Sequence, residues 1–272
     1  MGGLIGARAL RTEDLRLLTG RARFVDDVAL PRMLEAAVLR CPLPHARITS
    51  IDLRAAAALP GVAVVLTGAE VKAAVHAPQP VVWRNVPDMR LTDAYPLAVD
   101  RVRYPGQGVA VVAASDRAIA EDALELIDVQ YEELPAVSTL EQATAESAPR
   151  LYDDWPDNVC ARTTVAAGDV DSAFADADVV LAESFRFARQ MGTPLETRGV
   201  VATWDPFTGQ LDVWLATQAP NLARELLGEV LGLPVAKSAC GRRTSVAALA
   251  TSSTSTAKKS WPRCFRDVRG GR

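Results

Sequence analysis

The chain has 272 residues, 49% of them apolar and 23% charged, with a formal net charge of −3. Such a composition excludes a disordered or fibrous chain and offers no basic surface for nucleic acid or an anionic membrane; the length accommodates about two domains. No apolar run approaches the ~20 residues of a membrane span. The opening MGGLIGARALRTEDLR lacks the apolar stretch and small-residue cleavage site of a secretory leader, and Gly6 stands where a myristoylation signal needs Ser or Thr.

The cysteines, Cys41, Cys160, Cys240 and Cys264, are scattered without a CxxC pair, and His45 and His76 are the two histidines of the sequence. Spacing of this kind suits neither a zinc site nor an iron–sulfur cluster, so reduced thiols in a cytoplasmic protein are expected.

In chain order, residues 1–19 form a polar N-terminal segment and 20–134 a first α/β unit. Leu34–Arg40 and Ala46–Leu53 pattern as strands split by Cys41-Pro42-Leu43-Pro44. Arg54–Leu59 is a short Ala-rich helix closed by Pro60-Gly61, Val62–Thr67 a buried strand, and Gly68–Ala74 a short helix. Residues 75–95 are proline-rich without a period and are expected as a long loop. Gly108–Ala114 is a buried strand. Ser115-Asp116 caps a helix that turns Ile119, Ala123 and Leu126 inward, and Ile127–Leu134 is a strand.

A linker is placed at 135–158, and a second unit at 159–237. There Ala177–Arg189 is expected as a long strand. Gly199–Pro206 and Leu211–Thr217 should pair through a hairpin turn with Gly209 in the left-handed region. Asn221–Leu231 should be a helix with Leu222, Leu226, Leu227 and Val230 on one face, stopped by Gly232 and Pro234. After Lys237 no element pattern fits, and the polar, Ser/Thr-rich stretch 238–272 is expected to be aberrant and disordered.

Few residues suggest chemistry. Gly106-Gln107-Gly108 precedes a strand, whereas a dinucleotide-binding loop follows one, so a plain turn is expected. Asp205 belongs to a hairpin corner; Glu196, in PLETRG, suits either a turn or a place near a cofactor; Asp212 adds a third carboxylate. Gln218 ends an apolar strand just before Ala219-Pro220 and a helix. Its amide both donates and accepts, so it can orient a polar ligand there, although on chemistry alone a helix-entry residue bonding local backbone is much the simpler explanation.

The runs RTEDLRLLTGRARFVDDVALPRMLEAAVLRCPLPHARITSID, LPGVAVVLTGAEV, VRYPGQGVAVVAASDRAIAEDALELIDVQYEELPAV and TPLETRGVVATWDPFTGQLDVWLATQAPNLARELLGEVLGLP are similar to the front part of the molybdopterin-binding subunit of the xanthine dehydrogenase, aldehyde oxidase and carbon monoxide dehydrogenase family. The resemblance covers roughly residues 6–237 in order. It implies an α/β (α+β) chain: an a/b hammerhead domain followed by the truncated start of the molybdopterin-binding domain. It implies a molybdenum hydroxylase that inserts a water-derived oxygen at a carbon centre or oxidises carbon monoxide. The implied cofactor is a molybdopterin-type molybdenum dinucleotide, the cytosine form if the source is bacterial. Implied partners are an iron–sulfur subunit and an FAD subunit, with a small-molecule substrate, no nucleic acid and no membrane span. Gln218 matches the family glutamine that hydrogen-bonds a molybdenum ligand. The glycine-rich GGGFG stretch and the catalytic glutamate of the family are absent from the sequence, so this fragment should hold the cofactor weakly and be inactive alone.

The missing stretch can be recovered by reading the gene in the frame that begins on the last base of the Lys237 codon. Codons permitted by Ser238 to Arg266 can then spell V-R-V-R-S-P-D-V-G-G-G-F-G-D-K-F-H-V-Y-R-E-E-V-L-A-A-V-L-S, which contains the family's glycine-rich motif. A frameshift after Lys237 is therefore expected. The alternative is a non-catalytic, stand-alone α/β binding or scaffold protein, and the DNA beyond the Lys237 codon discriminates the two.

Overall fold

The structure, a computed structural model, describes residues 6, 12–81, 86, 88–188, 190, 192–194 and 196–242. The stretch from 243 onward, with the disorder expected of it, lies outside the described residues.

After a short helix α1 (Asp14–Leu18), the first unit runs β1 (Glu35–Arg40), β2 (Ala46–Asp52), α2 (Arg54–Ala58), β3 (Val62–Thr67), α3 (Gly68–Ala74), β4 (Arg101–Val102), β5 (Gly108–Ala114), α4 (Arg117–Glu125) and β6 (Asp128–Glu133). One antiparallel sheet has the order β1-β5-β3 and a second β4-β2-β6. Every residue of β5 is buried, which explains its unbroken apolar sequence: both faces are covered. Ala110, Val112 and Ala114 pack with Ala120, Ala123 and Ile127 on one side, while Val111 and Ala113 pack with Leu66, Val71 and Leu97 on the other. The alanines let α4 lie close, and each fully buried valine contributes about 1.5–3 kcal/mol. Cys41, Ala46, Val102 and Val109 form a further core with Ile48, Val129 and Tyr131. Capping follows the sequence. The Thr67 hydroxyl accepts from the Glu70 N–H while Glu70 accepts from the Thr67 N–H, and Asp116 Oδ1 accepts from the Ile119 N–H at 3.0 Å. Leu126, expected inside, is the residue that ends α4 and is 42% exposed.

The expected linker is a strap bound to the first unit. Beyond α5 (Leu140–Thr144), Arg101 makes two bonds to Asp153 at 3.0 and 3.1 Å, and Arg103 donates to the Leu151 carbonyl while lying over the Tyr152 ring. Tyr152 stacks on buried Trp155, and Arg90 pairs with Asp157 and donates to the Val159 carbonyl. The Asn158 side chain closes the strap on itself through the backbone of Leu151, Ala143 and Pro149. Residue spacing does not reveal the ties from Arg90, Arg101 and Arg103, because each joins positions about 50–70 apart.

The second unit contains α6 (Val170–Ala175), β7 (Val200–Asp205), β8 (Gln210–Leu215), α7 (Pro220–Leu231) and β9 (Ser238–Arg242). The hairpin is as expected, with Gly209 at φ +67°. Helix α7 packs Ala223, Leu227 and Leu231 against Leu211, Val213 and Leu215, and Val230 is buried too; Leu222, expected on that face, is 39% exposed. Gly232 ends the helix at φ +63°, with the Leu233 N–H bonded to the Gly228 carbonyl at 2.9 Å.

Two expectations are corrected. Residues 177–188 carry a strand pattern yet form no strand: a strand exists only when a neighbour satisfies its backbone groups, and among the described residues nothing pairs with it. Conversely, the first five residues of the stretch expected to be disordered form β9. This strand pairs in parallel with β8 from Leu211↔Ser238 to Leu215↔Arg242. Pairing there uses main-chain groups that nearly any sequence supplies, so side-chain pattern alone does not announce it. Strand β8 is consequently central in the order β7-β8-β9 and has no open edge.

Candidate functional site

Among the described residues, the second unit meets the first around Glu196 and at the end of α7, as well as at Arg90. Glu196 is 8% exposed, and its Oε1 accepts from the Val25 N–H at 3.1 Å, across 171 positions of sequence. Its Oε2 is buried without a hydrogen-bond partner. Burial is the main influence on this carboxyl and pushes its pKa up; the Val25 N–H opposes that, and Asp26 and Asp27 add to it. Nearby, Val25 lies so close to Gly199 that a methyl group on that glycine would stand 3.2 Å from Val25 Cγ1. At the end of α7, the His76 N–H donates to the Val230 carbonyl at 2.8 Å and the imidazole covers Gly232.

Gln218 lies between these contacts in sequence, in the short turn joining Leu215 of β8 to Pro220 of α7. Buried Thr217 prepares the turn: its hydroxyl accepts from the Ala219 N–H at 3.2 Å, and Pro220 opens the helix without needing a donor. Gln218 itself is exposed. The three carboxylates do not gather. Asp205 accepts from the Phe207 N–H and the Thr208 hydroxyl, which hold its pKa below the ordinary range and mark it as a turn former. Asp212 accepts from Gln210 within its own strand. Glu196 turns to the N-terminal segment, a role the sequence left undivided between turn and cofactor. Gly106 sits in a turn at φ +84°, its carbonyl accepting from Arg40.

Among the described residues no set of three or more His, Cys, Asp or Glu is arranged to hold a metal ion. A molybdopterin is large and needs many enclosing contacts. The chemistry of Gln218 fits one hydrogen bond to such a group, but its exposed position on a single turn does not enclose one. The described residues therefore do not make a complete cofactor site. No helix among them is long and apolar enough to cross a membrane.

Comparison with known proteins places these features. Residues 19–135 match the model of the aldehyde oxidase and xanthine dehydrogenase a/b hammerhead domain, and residues 151–242 that of the molybdopterin cofactor-binding domain. The nicotine 6-hydroxylase large subunit of Paenarthrobacter nicotinovorans is 36% identical over 238 residues, covering 86% of this chain and 28% of that one. The nicotinate dehydrogenase large molybdopterin subunit of Eubacterium barkeri is 33% identical, covering 86% of this chain and 52% of its own length. The crystal structure of quinoline 2-oxidoreductase from Pseudomonas putida 86 superposes with a TM-score of 0.81 at 42% identity, over 88% of this chain and 30% of that one. The chain thus spans between three tenths and about half the length of these relatives. Carrying both matched domains in order, it belongs to the aldehyde oxidase and xanthine dehydrogenase family, as the N-terminal portion of the molybdenum-cofactor-binding subunit.

Proposed function

We propose that this chain is the leading part of the large subunit of a heteromeric molybdenum hydroxylase, and that Gln218 hydrogen-bonds a ligand of the molybdenum once the site is completed by polypeptide beyond Arg242. The observation that carries this is the position of Gln218, presented at the β8–α7 turn within a match that runs through both domains in order. In the completed protein the molybdenum group supplies the redox centre for oxidising a small molecule. The chain's own part is scaffolding: the hammerhead unit and its strap hold the β7-β8-β9 sheet, and the sheet presents Gln218. Iron–sulfur and FAD subunits carry electrons away, in keeping with cysteines too scattered to bind a cluster here.

The frameshift after Lys237 belongs to this reading. Restoring the alternative frame returns a glycine-rich stretch immediately after the β9 position, where a backbone without side chains can approach a bulky group. The test is a frame-restored subunit co-expressed with its partner subunits. Gln218→Ala should leave folding intact and lower turnover about 2- to 10-fold, the effect of one net hydrogen bond of about 0.5–1.5 kcal/mol. Unchanged turnover and unchanged molybdenum content in that variant would remove Gln218 from the site.

A further inference from the structure

A turn aims a side chain only as well as its two ends are held. Helix α7 holds the far end of the Gln218 turn. The near end is Ala216, just past the last ladder pair of β7 and β8, Val200 with Leu215, and its N–H donates to the Gly199 carbonyl at 3.3 Å. Val25 packs on Gly199 so closely that its Cγ1 and Cβ would stand 3.2 and 3.3 Å from a methyl group placed there. Val25 is itself buried, at 3% exposure. It opens the 3-10 turn Val25–Asp27, which the Asp27 carboxylate closes by accepting from the Phe24 N–H at 2.7 Å. The Val25 N–H in turn donates to Glu196. A line of contacts therefore runs from the N-terminal segment through Glu196 and Gly199 to Ala216, two residues before Gln218.

We propose that Glu196 is a positioning residue for Gln218: by holding Val25 against Gly199 it fixes the Gly199 carbonyl, and that carbonyl fixes the near end of the turn that aims the Gln218 amide. This inference rests on the role proposed for Gln218 above. The setting of Glu196 marks it as more than a turn former. A carboxyl buried to this degree, with one oxygen unbonded and Asp26 and Asp27 close by, is unfavourable where it stands. Asp205 forms its turn through bonds to its own neighbours, Phe207 and Thr208, whereas Glu196 reaches across the chain to Val25. Gly199 has no side chain, so its backbone follows whatever packs on it. With Glu196 truncated, Val25 lifts, the Gly199 carbonyl shifts, and the turn loses the Ala216 bond. The first unit thereby bears directly on the direction of Gln218, although none of its residues belongs to the turn.

The test is residue-resolved amide exchange on the 272-residue chain. In Glu196→Ala the Val25, Ala216 and Ala219 amides should exchange at least about ten-fold faster, while Val213 in β8 and Leu227 in α7 keep their rates. Glu196→Gln, which keeps an oxygen for the Val25 N–H, should restore the slow rates. Val25→Pro attacks the same contact from the donor side and gives the reading if Glu196→Ala does not fold. It removes the N–H at the first position of a turn, where proline is tolerated, and Phe24 already has the extended backbone that precedes a proline. Ala216 and Ala219 should quicken in it as in Glu196→Ala. Faster exchange confined to Val25, faster exchange throughout the second unit, or no rescue by glutamine would each overturn the proposal. A further comparison separates it from the function on which it rests. In the frame-restored subunit with its partners, Glu196→Ala should lower kcat at unchanged KM, and adding it to Gln218→Ala should lower kcat no further. If Gln218→Ala leaves turnover unchanged while the exchange pattern holds, the role of Gln218 fails and the positioning of the turn stands. If the two substitutions lower kcat additively, the positioning fails and the role of Gln218 stands.

Discussion

At Gly68 a methyl group would stand 1.8 Å from the Ala98 carbonyl oxygen, whereas at Gly106 it would meet open space. The two positions separate packing from backbone freedom. Gly68→Ala should cost about 1–3 kcal/mol or more through overpacking of the first unit. Gly106→Ala, at φ +84°, should cost about 1–2 kcal/mol from backbone strain alone. Urea unfolding of the two variants checks the order; equal losses would mean that the Ala98 backbone yields easily. Glu196 gives a pH-dependent counterpart. Its folded pKa is raised, so the folded state holds the proton more tightly than the unfolded state. The stability this lends is fully present below the unfolded carboxylate pKa and is lost as pH rises through the raised folded value. Glu196→Gln keeps an oxygen for the Val25 N–H and removes the charge beside Asp26 and Asp27. Its unfolding midpoint should exceed that of the unsubstituted chain by about 2–4 °C at neutral pH, the response of a chain this size to about 1 kcal/mol. The difference should vanish in acid. A midpoint that falls at neutral pH would show that the carboxylate stabilises the contact.

At the scale of elements, what was legible in the sequence was whatever is written locally. Thr67 with Glu70, Asp116, Gly209 and Gly232 announce their caps and turns within a few residues, and the run Gly108–Ala114 announces a strand covered on both faces. The strap was not legible, because Arg90, Arg101 and Arg103 find Asp157, Asp153 and Leu151 only once the fold brings them together. Strand β9 was hidden for the opposite reason, its pairing being made by the main chain. Residues 177–188 show a pattern that needs a partner from elsewhere. The site was the least legible part, since Gln218 is one amide on a turn and gained meaning only from the family resemblance. These differences set where a protease should cut. Residues 161–176 and 177–188 are largely exposed, and residues 149–160 are tied down by the strap. Among the described residues, limited proteolysis should therefore cleave first within 161–188. Arg101→Ala, which removes both bonds to Asp153, should bring cleavage at 149–158 forward. Early cuts in 149–158 of the unsubstituted chain would show that the strap does not hold in solution.

At the scale of the whole molecule, the decisive property is that the described residues leave the cofactor site incomplete. One amide at the β8–α7 turn contributes about 0.5–1.5 kcal/mol, far below what tight retention of a molybdopterin requires, which at 1 μM is about 8 kcal/mol. The hammerhead unit and the β7-β8-β9 sheet fold around cores of their own, so weak cofactor retention should accompany two ordered units. The most direct measurement is molybdenum content by elemental analysis, made in parallel on the purified 272-residue chain and on the subunit expressed with its frame restored after Lys237 and its partner subunits present. The account predicts almost no molybdenum in the first and close to one atom per chain in the second. Near-stoichiometric molybdenum in the 272-residue chain, or none in the frame-restored subunit, would contradict it.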